Sequence, residues 1–181
     1  NGSTAVRTSE RQMLRLTARV FLFFAGALFA RGYTPRRGSL PLTDGELVLA
    51  GLAAPVTVER DAQGVPTVRG TNRLDVARLT GFLHAQDRYF QMDLLRRQAA
   101  GELSALVGPR ALDADRKQRL HRMRDLALRI LPSLTANERG LIDAYTDGVN
   151  AGLARLRVRP PEYLLLRAEP QPWRPEDTFL V

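Results

Sequence analysis

The sequence of 181 residues contains no cysteine. It therefore cannot form a disulfide bond, hold a metal ion through thiolates or use a cysteine nucleophile, although this absence alone does not assign a compartment. Histidine is scarce, with only His84 and His121. No serine lies in a nucleophile-elbow motif, so we do not expect a Ser-His-Asp triad within this chain. The five serines are Ser3, Ser9, Ser39, Ser104 and Ser133.

Lysine is almost missing, since Lys117 is the only one among 27 basic residues. The formal net charge of +8 is concentrated at the start of the chain, where residues 1–41 hold seven arginines against one acid, Glu10. Residues 42–181 are nearly neutral, with a net charge of +2. A nucleic-acid-binding face needs a clustered basic surface, so we expect no nucleic-acid partner.

Long hydrophobic runs are also lacking. The longest begins at Val20 and ends at Ala30, and eleven residues are fewer than the roughly 20 that span a membrane. Because Arg15 and Arg19 precede it, the run is typical of an export signal. We expect a periplasmic or otherwise extracytoplasmic protein, with possible membrane contact through this run as an uncleaved anchor or interfacial helix. A buried helix of the globular body is the alternative.

The chain divides at residue 41 into a signal-like N-terminal segment with a basic linker (1–41) and a body (42–181). Its 44% hydrophobic content is ordinary for a globular protein, and its length fits one domain or part of a larger one. Alternating residues over 56–60 and 65–69 predict a β-hairpin around a four-residue loop. Pro66 places the second strand at an edge or a bulge.

A long helix is predicted from Thr71 or Asn72, either of which can cap it, to Gly108. Apolar side chains recur there in steps of three and four, and more apolar residues widen this stripe. The stripe comprises Val76, Leu79, Leu83, Phe90 and Leu94, widened by Phe82, Met92, Leu95, Leu103 and Leu106. Four polar residues interrupt the run and need hydrogen-bond partners if buried: His84, Gln86, Asp87 and Gln91.

Two further helices are expected. Residues 113–131 form a charged amphipathic stretch that Pro132 ends, and its apolar side comprises Leu120, Met123, Leu126, Leu128 and Ile130. Thr135 and Glu138 form a capping box that opens a helix reaching Leu156. Near the end of the sequence, residues 175–177 are typical of another helix start.

Few residues are candidates for chemistry. His84 can be a base or a ligand, but its place in an apolar run favours a packed, hydrogen-bonded helix residue. Asp113 and Asp115 suggest a cation site, although such a pair in a charged helix usually lies on a solvated face. The remaining candidates favour structural roles: ion pairs of Asp87 with Arg88 and of Asp93 with Arg96 or Arg97, and a packing anchor at Trp173 rather than a pocket wall.

The sequence of the long helix resembles the signature of the penicillin acylase family. The resemblance rests on residues 84–88 (HAQDR), 91–97 (QMDLLRR) and 100–103 (AGEL). Residues 54–66 (APVTVERDAQGVP) resemble the opening of the mature family chain, and residues 143–151 (DAYTDGVNA) and 170–177 (PQPWRPED) follow in the same order. The resemblance covers residues 40 to 181. Thr67 departs from it, since the family usually has histidine after Val-Pro, and residues 121–124 are unusually basic.

This resemblance implies an N-terminal-nucleophile (Ntn) amidohydrolase that cleaves N-acyl amides such as penicillins, cephalosporins or N-acyl-homoserine lactones. The fold class it implies is α+β, a mostly helical α subunit with a short N-terminal β-hairpin that completes an αββα sandwich with an obligate, β-rich partner chain. The nucleophilic serine, its α-amine and the oxyanion hole are expected on that β chain, so no catalytic residue is expected here.

The family's α-chain pocket residues would fall at or beyond Val181, which leaves the substrate-binding residues unassigned. The resemblance implies no cofactor and no metal in this chain, although some relatives bind calcium. A stand-alone helical, membrane-anchored binding or interaction protein is the alternative. It predicts a stable monomer from residues 42–181, whereas an α subunit predicts a fragment that aggregates because its apolar faces lack a partner.

Overall fold

The computed structural model describes residues 40–41 and 43–181. These residues are mostly helical and include one two-stranded antiparallel sheet, as predicted for the body. The apolar run between Val20 and Ala30 lies outside them. Among the described helices, none combines the length and the hydropathy that a membrane crossing requires.

Strands β1 (Thr57–Arg60) and β2 (Pro66–Arg69) pair as the predicted hairpin. The predicted loop length is wrong, because five residues rather than four connect the strands. The Asp61 carboxylate accepts a hydrogen bond from the Val65 N–H at 2.8 Å. That bond holds the Val65 amide within the loop, so strand pairing begins at Pro66, the first strand position, where a missing N–H is tolerated.

Helix α1 (Arg73–Ala100) has Asn72, rather than Thr71, as its N-cap residue. The Asn72 side chain accepts a hydrogen bond from the Asp75 N–H at 2.8 Å, as expected of an N-cap. The buried Asp75 carboxylate accepts hydrogen bonds from the backbone N–H groups of residues 53 and 54 at 2.9 and 3.0 Å. The beginning of α1 therefore anchors the segment that precedes the hairpin.

The predicted end of α1 at Gly108 is wrong, since the helix ends at Gly101. Gly101 has φ 68° and ψ 45°, a left-handed conformation that glycine adopts at low cost. A separate helix, α2 (Ser104–Val107), follows. The buried Asp115 carboxylate accepts hydrogen bonds from the N–H groups of Leu103 and Ser104 at 2.9 and 2.7 Å. These bonds satisfy the first amides of α2 and favour the earlier break.

The predicted helix over residues 113–131 is in fact two helices, α3 (Leu112–Arg119) and α4 (Met123–Ile130). Arg122 lies between them in a left-handed conformation with φ 50°. The two helices make different contacts: Arg119 of α3 donates to the Gly101 carbonyl at 2.7 Å, whereas α4 lies beside the C-terminal segment. A single continuous helix could not bring Arg119 to the Gly101 carbonyl and also lie beside the C-terminal segment.

The predicted apolar side of this region is also wrong in part. Leu120, Leu126 and Leu128 are 81%, 42% and 48% exposed, whereas Ala127 and Leu131 are buried. The turn at Arg122 changes the helical phase, so a stripe drawn through a continuous helix does not face the core.

Helix α5 (Ala136–Arg155) begins with the predicted capping box. The Thr135 hydroxyl accepts from the Glu138 N–H at 3.3 Å, and the Glu138 carboxylate accepts from the Thr135 N–H at 2.9 Å. Helix α6 (Pro161–Leu166) was not predicted, although proline at a first helical position is a known start signal. The predicted helix start at residues 175–177 is a 3₁₀ helix, Pro175–Phe179.

Helices α1 and α5 pack closely along their length, and glycine makes this approach possible. A Cβ atom at Gly81 would meet the Tyr145 carbonyl, and one at Gly148 would meet the Arg78 carbonyl. Gly152 meets α1 in the same way. The main core lies beside this helix pair and includes Ala85, Tyr89, Met92, Leu106, Val149, Tyr163 and Trp173.

Candidate functional site

The polar residues of α1 divide between the core and an exposed face. Gln86 is buried, whereas His84 and Gln91 are exposed. The His84 Nδ1 lies 3.0 Å from the Tyr145 hydroxyl of α5, a hydrogen bond between the two helices. His84 is therefore hydrogen-bonded, as predicted, but it is not packed in the interior.

The sequence suggested an ion pair between Asp87 and Arg88, but the structure does not contain it. Asp87 forms a bidentate pair with Arg60 of β1, with N–O distances of 2.9 and 3.1 Å. Successive residues of a helix point in different directions, and Arg88 departs from helical geometry with φ −143° and ψ 20°. The Asp87 pair joins the hairpin to α1, while Arg88 faces outward at a kink.

Asp93 is fully buried and accepts hydrogen bonds from both predicted arginines. One carboxylate oxygen lies 2.8 Å from the Arg96 Nε and 2.8 Å from the Arg97 Nε. The other oxygen accepts the Tyr163 hydroxyl of α6 at 2.5 Å. Burial and the Asp93 carboxylate raise the pKa of Tyr163, so this phenol remains a hydrogen-bond donor at neutral pH.

A second carboxylate, that of Asp177, forms ion pairs with arginines from two helices. Arg96 of α1 reaches one oxygen at 2.5 Å, and Arg124 of α4 reaches the other at 2.8 Å. Arg124 also forms a bidentate pair with Glu102 at 2.8 Å for both bonds. Asp177 is 1% exposed, and a buried charge is tolerated only when it is paired in this way.

Trp173 is the predicted packing anchor and also one wall of a groove. Trp173 is 2% exposed, and its backbone N–H and carbonyl groups are hydrogen-bonded to the Asn150 side chain at 2.8 and 2.9 Å. The Arg96 guanidinium lies over the indole ring, 4.9 Å from its centroid. Arg96 also donates to the carbonyls of Gln171 and Pro172, each at 2.9 Å. These bonds fix the course of the Pro-rich segment against α1.

An open groove of about 430 Å³ runs along the exposed face of α1, and we name it the α1 groove. Its surface is mostly apolar. The apolar and aromatic lining residues are Met92, Leu95, Tyr145, Trp173 and Val181, and the polar ones are His84, Arg88, Gln91 and Thr178. Leu95, predicted to be covered, is 47% exposed in this groove.

The groove offers binding surface but no activated nucleophile among the described residues. Although His84 is exposed at the surface, partial desolvation by its neighbours lowers its pKa against the opposing effect of Asp87, and burial raises the pKa of Tyr145 to about 12. Both groups are therefore neutral at pH 7. Of the two serines that the structure describes, the Ser133 hydroxyl donates to the Ile130 carbonyl at 2.7 Å, and Ser104 binds Asp115.

The suggested cation pair is not brought together. Asp113 is exposed, whereas Asp115 is buried and bound to backbone amides, so the predicted solvated face holds for Asp113 alone. Within residues 40–41 and 43–181, no three His, Asp or Glu side chains are grouped so that they could hold a metal ion.

Comparison with known proteins shows to which family this architecture is related. The sequence model described as penicillin amidase matches residues 55–181. The chain belongs to the penicillin amidase family. The match begins just before the hairpin and includes all of the helices α1 to α6.

The relatives that match this chain are named either penicillin acylases or acyl-homoserine lactone acylases. The chain is 42% identical over 145 residues to penicillin acylase 2 proenzyme of Pseudomonas sp. strain SE83, covering 80% of this chain and 19% of the relative. It is 37% identical over 144 residues to acyl-homoserine lactone acylase QuiP of Pseudomonas aeruginosa, covering 79% and 17%. The chain thus spans about a fifth of the length of the curated relatives that it matches.

A solved structure supports the fold. Thermostable penicillin G acylase from Alcaligenes faecalis matches with a TM-score of 0.64 and 31% identity, covering 70% of this chain and 69% of that chain. The mostly helical arrangement described above is therefore similar to that of a penicillin acylase chain.

Sequence reasoning missed several partners in this site. The pairs of Tyr163 with Asp93 and of Asp177 with Arg96 join residues that are 70 and 81 positions apart. Asp177, two residues after Pro175, was an available signal, since a carboxylate at the third position of a helix often accepts the N–H of the capping residue, and Asp177 does accept from the Arg174 N–H at 2.9 Å.

Proposed function

We propose that this chain is the α-subunit part of an Ntn-type amidohydrolase that cleaves N-acyl amides. The observation that carries this proposal is the match of residues 55–181 to the penicillin amidase family. The relatives are named as a penicillin acylase and an acyl-homoserine lactone acylase. Penicillins, cephalosporins or N-acyl-homoserine lactones are therefore the substrate classes that we assign to the complete enzyme.

The reactive group in this proposal lies on a β chain released from the same precursor. One relative is named a proenzyme, and this chain corresponds to 19% of its length. In the described residues, neither serine hydroxyl is hydrogen-bonded to a histidine. A nucleophile outside them, at the N-terminus of the β chain, accounts for both observations.

In the proposed reaction, the N-terminal serine hydroxyl of the β chain attacks the amide carbonyl carbon. The α-amino group of that serine, with a pKa of about 8, accepts the hydroxyl proton and passes it to the leaving nitrogen. The C–N bond breaks, the amine departs and an ester acyl-enzyme remains. Water then attacks the ester with the same amine as base, which releases the acid and restores the serine.

This chain contributes a scaffold and one wall of the acyl pocket in this scheme. Asp93 and Asp177 hold the Pro-rich segment against α1 through buried arginines, and Trp173 in that segment faces the α1 groove. An acyl-binding site requires apolar residues that are held in fixed positions. Buried polar networks such as those of Asp93 and Asp177 provide this rigidity.

The remaining parts of the proposal concern the assembled enzyme. The β-rich chain would complete an αββα sandwich, and export to the periplasm would bring the enzyme to its substrates. We propose no cofactor for this chain, and no step of the proposed reaction uses calcium.

The decisive experiment is expression of the complete gene. We expect a precursor that separates into two chains and hydrolyses aromatic, glutaryl or long aliphatic acyl amides. Replacing the serine at the start of the second chain with alanine should leave an uncleaved, inactive precursor. Amide hydrolysis that survives this replacement, or by residues 42–181 alone, would overturn the proposal.

A further inference from the structure

The guanidinium group of Arg96 uses all five of its N–H donors within the protein. Arg96 is 4% exposed, so protein groups rather than water satisfy these donors. Four of the bonds measure between 2.5 and 2.9 Å, and the fifth, to a phenol oxygen, measures 3.5 Å. The acceptors are two carboxylates, two backbone carbonyls and the phenol, which belong to Asp93 and Asp177, Gln171 and Pro172, and Tyr89.

Three of these five bonds go to the Pro-rich segment, residues 170–181. Two of them end on the consecutive carbonyls of Gln171 and Pro172, and a planar group that binds both fixes the direction in which the next residue, Trp173, leaves the backbone. The same guanidinium lies over the indole ring of Trp173. Arg96 therefore sets the orientation of this side chain from both its backbone and its ring.

Arg97 is a natural comparison, because it binds the same carboxylate without reaching the Pro-rich segment. Its Nε donates to Asp93 at 2.8 Å, and its side chain is nearly as buried as that of Arg96. Within the part of the chain that the structure describes, the Arg97 side chain makes no hydrogen bond to residues 170–181. A change at Arg97 thus affects the Asp93 pair and leaves the contacts to Trp173 in place.

We propose that Arg96 is a positioning residue for acyl selectivity, an inference that rests on the enzyme proposed above. Arg96 acts through Trp173, which belongs to the wall that this chain lends to the acyl pocket in that scheme. Lysine keeps the charge, but it has three donors on a flexible stem and no planar face to stack on an indole ring. Arg96→Lys therefore loosens Trp173 without removing the partner charge of Asp93 and Asp177.

Steady-state hydrolysis by the complete enzyme tests this role with a series of acyl groups on one amine. Arg96→Lys should raise KM about tenfold for aromatic and long aliphatic acyl groups and leave kcat within about twofold, because a displaced wall weakens binding more than chemistry. The acetyl amide, too short to reach the wall, should keep its kcat/KM. Arg97→Lys should change none of these values. An equal loss for every acyl group, as a purely structural role predicts, or equal effects of both variants would overturn the proposal.

A double-mutant cycle tests the route through Trp173. Trp173→Phe alone should shift the same selectivity, and the addition of Arg96→Lys should shift it no further, because residues that act through one another have non-additive effects. Additive effects of the two substitutions would show that Arg96 does not act through Trp173 and would contradict the assignment.

Hydrogen exchange in the complete protein provides a readout that needs no activity. Peptides from residues 170–181 should exchange faster in Arg96→Lys than in Arg97→Lys, and equal exchange would refute the positioning role. Tyr89→Phe is a milder second variant, since it removes only the hydroxyl that donates to the Gln171 carbonyl. It should move both exchange and acyl selectivity in the same direction as Arg96→Lys, by a smaller factor.

Failure of this inference and failure of the proposed function give different results. An active acylase whose Arg96→Lys variant keeps the selectivity of the unsubstituted enzyme removes the positioning role and leaves the enzyme. A complete protein that hydrolyses none of the acyl amides removes the proposed function, and acyl selectivity at Arg96 with it.

Discussion

At Asp177 two arginines from different helices meet one carboxylate, with Arg96 on one oxygen and Arg124 on the other. The same oxygen that binds Arg96 also accepts the Arg174 N–H. Asp177 therefore joins α1, α4 and the 3₁₀ turn, and a neutral side chain at this position would leave Arg96 with Asp93 and Arg124 with Glu102 as their only carboxylate partners among the described residues.

Asp177→Asn should loosen the segment from residue 171 to 180 more than any exposed substitution. Loss of one partner from a buried pair costs about 3–5 kcal/mol, which corresponds to local opening about 150- to 5,000-fold more frequent. Hydrogen exchange of peptides from this segment in the complete protein measures the change. Asp143→Asn, which removes the half-exposed pair with Arg139, should alter exchange little, and equal effects of the two would refute this account.

Asp75 gives a pH-dependent prediction. Hydrogen bonds from backbone amides, first that of Ala53, lower the pKa of this carboxyl below 3.8. Because the folded pKa lies below the unfolded one, the stabilisation is present above about pH 4 and disappears as the pH falls through the lower folded value. Thermal unfolding should show Asp75→Asn to be less stable at pH 7 and to approach the unsubstituted protein near pH 3.

The control for Asp75 is Asp113→Asn, whose carboxylate is exposed and makes no backbone hydrogen bond in the described chain. Its difference from the unsubstituted protein should change little over the same pH range. If the Asp75 difference also stays constant, backbone binding by this carboxylate does not contribute to folding.

At the scale of elements, the α1–α5 pair depends on glycine. A Cβ at Gly148 would meet the Arg78 carbonyl carbon and oxygen, whereas a Cβ at Gly140 on the same helix would meet only the Leu74 side chain at 3.6 Å. Gly148→Ala should separate the helices and cost about 1–3 kcal/mol. Gly140→Ala should stabilise the protein by about 0.5–1 kcal/mol through helix propensity.

Thermal unfolding of the two alanine variants in the complete protein checks this opposition. We expect a lower Tm for Gly148→Ala and an equal or higher Tm for Gly140→Ala. A higher Tm for both would show that the helices can move apart without loss of packing.

The sequence predicted elements whose signals are local. The capping box at Thr135, the N-cap at Asn72 and the hairpin each depend on residues within a few positions of one another. The end of α1 was not predictable, because both Gly101 and Gly108 fit and the choice involves Asp115, 14 residues beyond Gly101. The break at Arg122 was likewise not predictable, because the contacts on its two sides, Arg119 with the Gly101 carbonyl and Arg124 with Asp177, reach residues far away in the sequence.

For the candidate site, the sequence identified its helix through the family signature but not its exposed face. The pairing of Asp93 with Arg96 and Arg97 was predictable, since helix neighbours three and four positions apart meet. The partners of Asp87 and Asp177 lie 27 and 81 residues away and depend on tertiary packing. The exposure of Leu95 could not be inferred from periodicity, which treats all apolar positions of a helix alike.

At the scale of the whole molecule, large apolar side chains lie at the surface on several elements. Val48, Leu120 and Leu165 are 96%, 81% and 85% exposed, and Leu95 is open in the groove. Single exposed leucines are ordinary, and in the two-chain enzyme proposed above the second chain would cover part of this apolar surface.

We therefore expect residues 42–181, expressed alone, to bind a hydrophobic dye and to aggregate, whereas the complete protein does neither. Static light scattering and dye fluorescence at equal molar concentration measure both properties. Leu95→Gln and Leu120→Gln in the isolated fragment should each reduce dye binding, because each removes an exposed apolar side chain. A monodisperse fragment without dye binding would instead favour a stand-alone helical protein, since such a chain needs no partner to cover these residues.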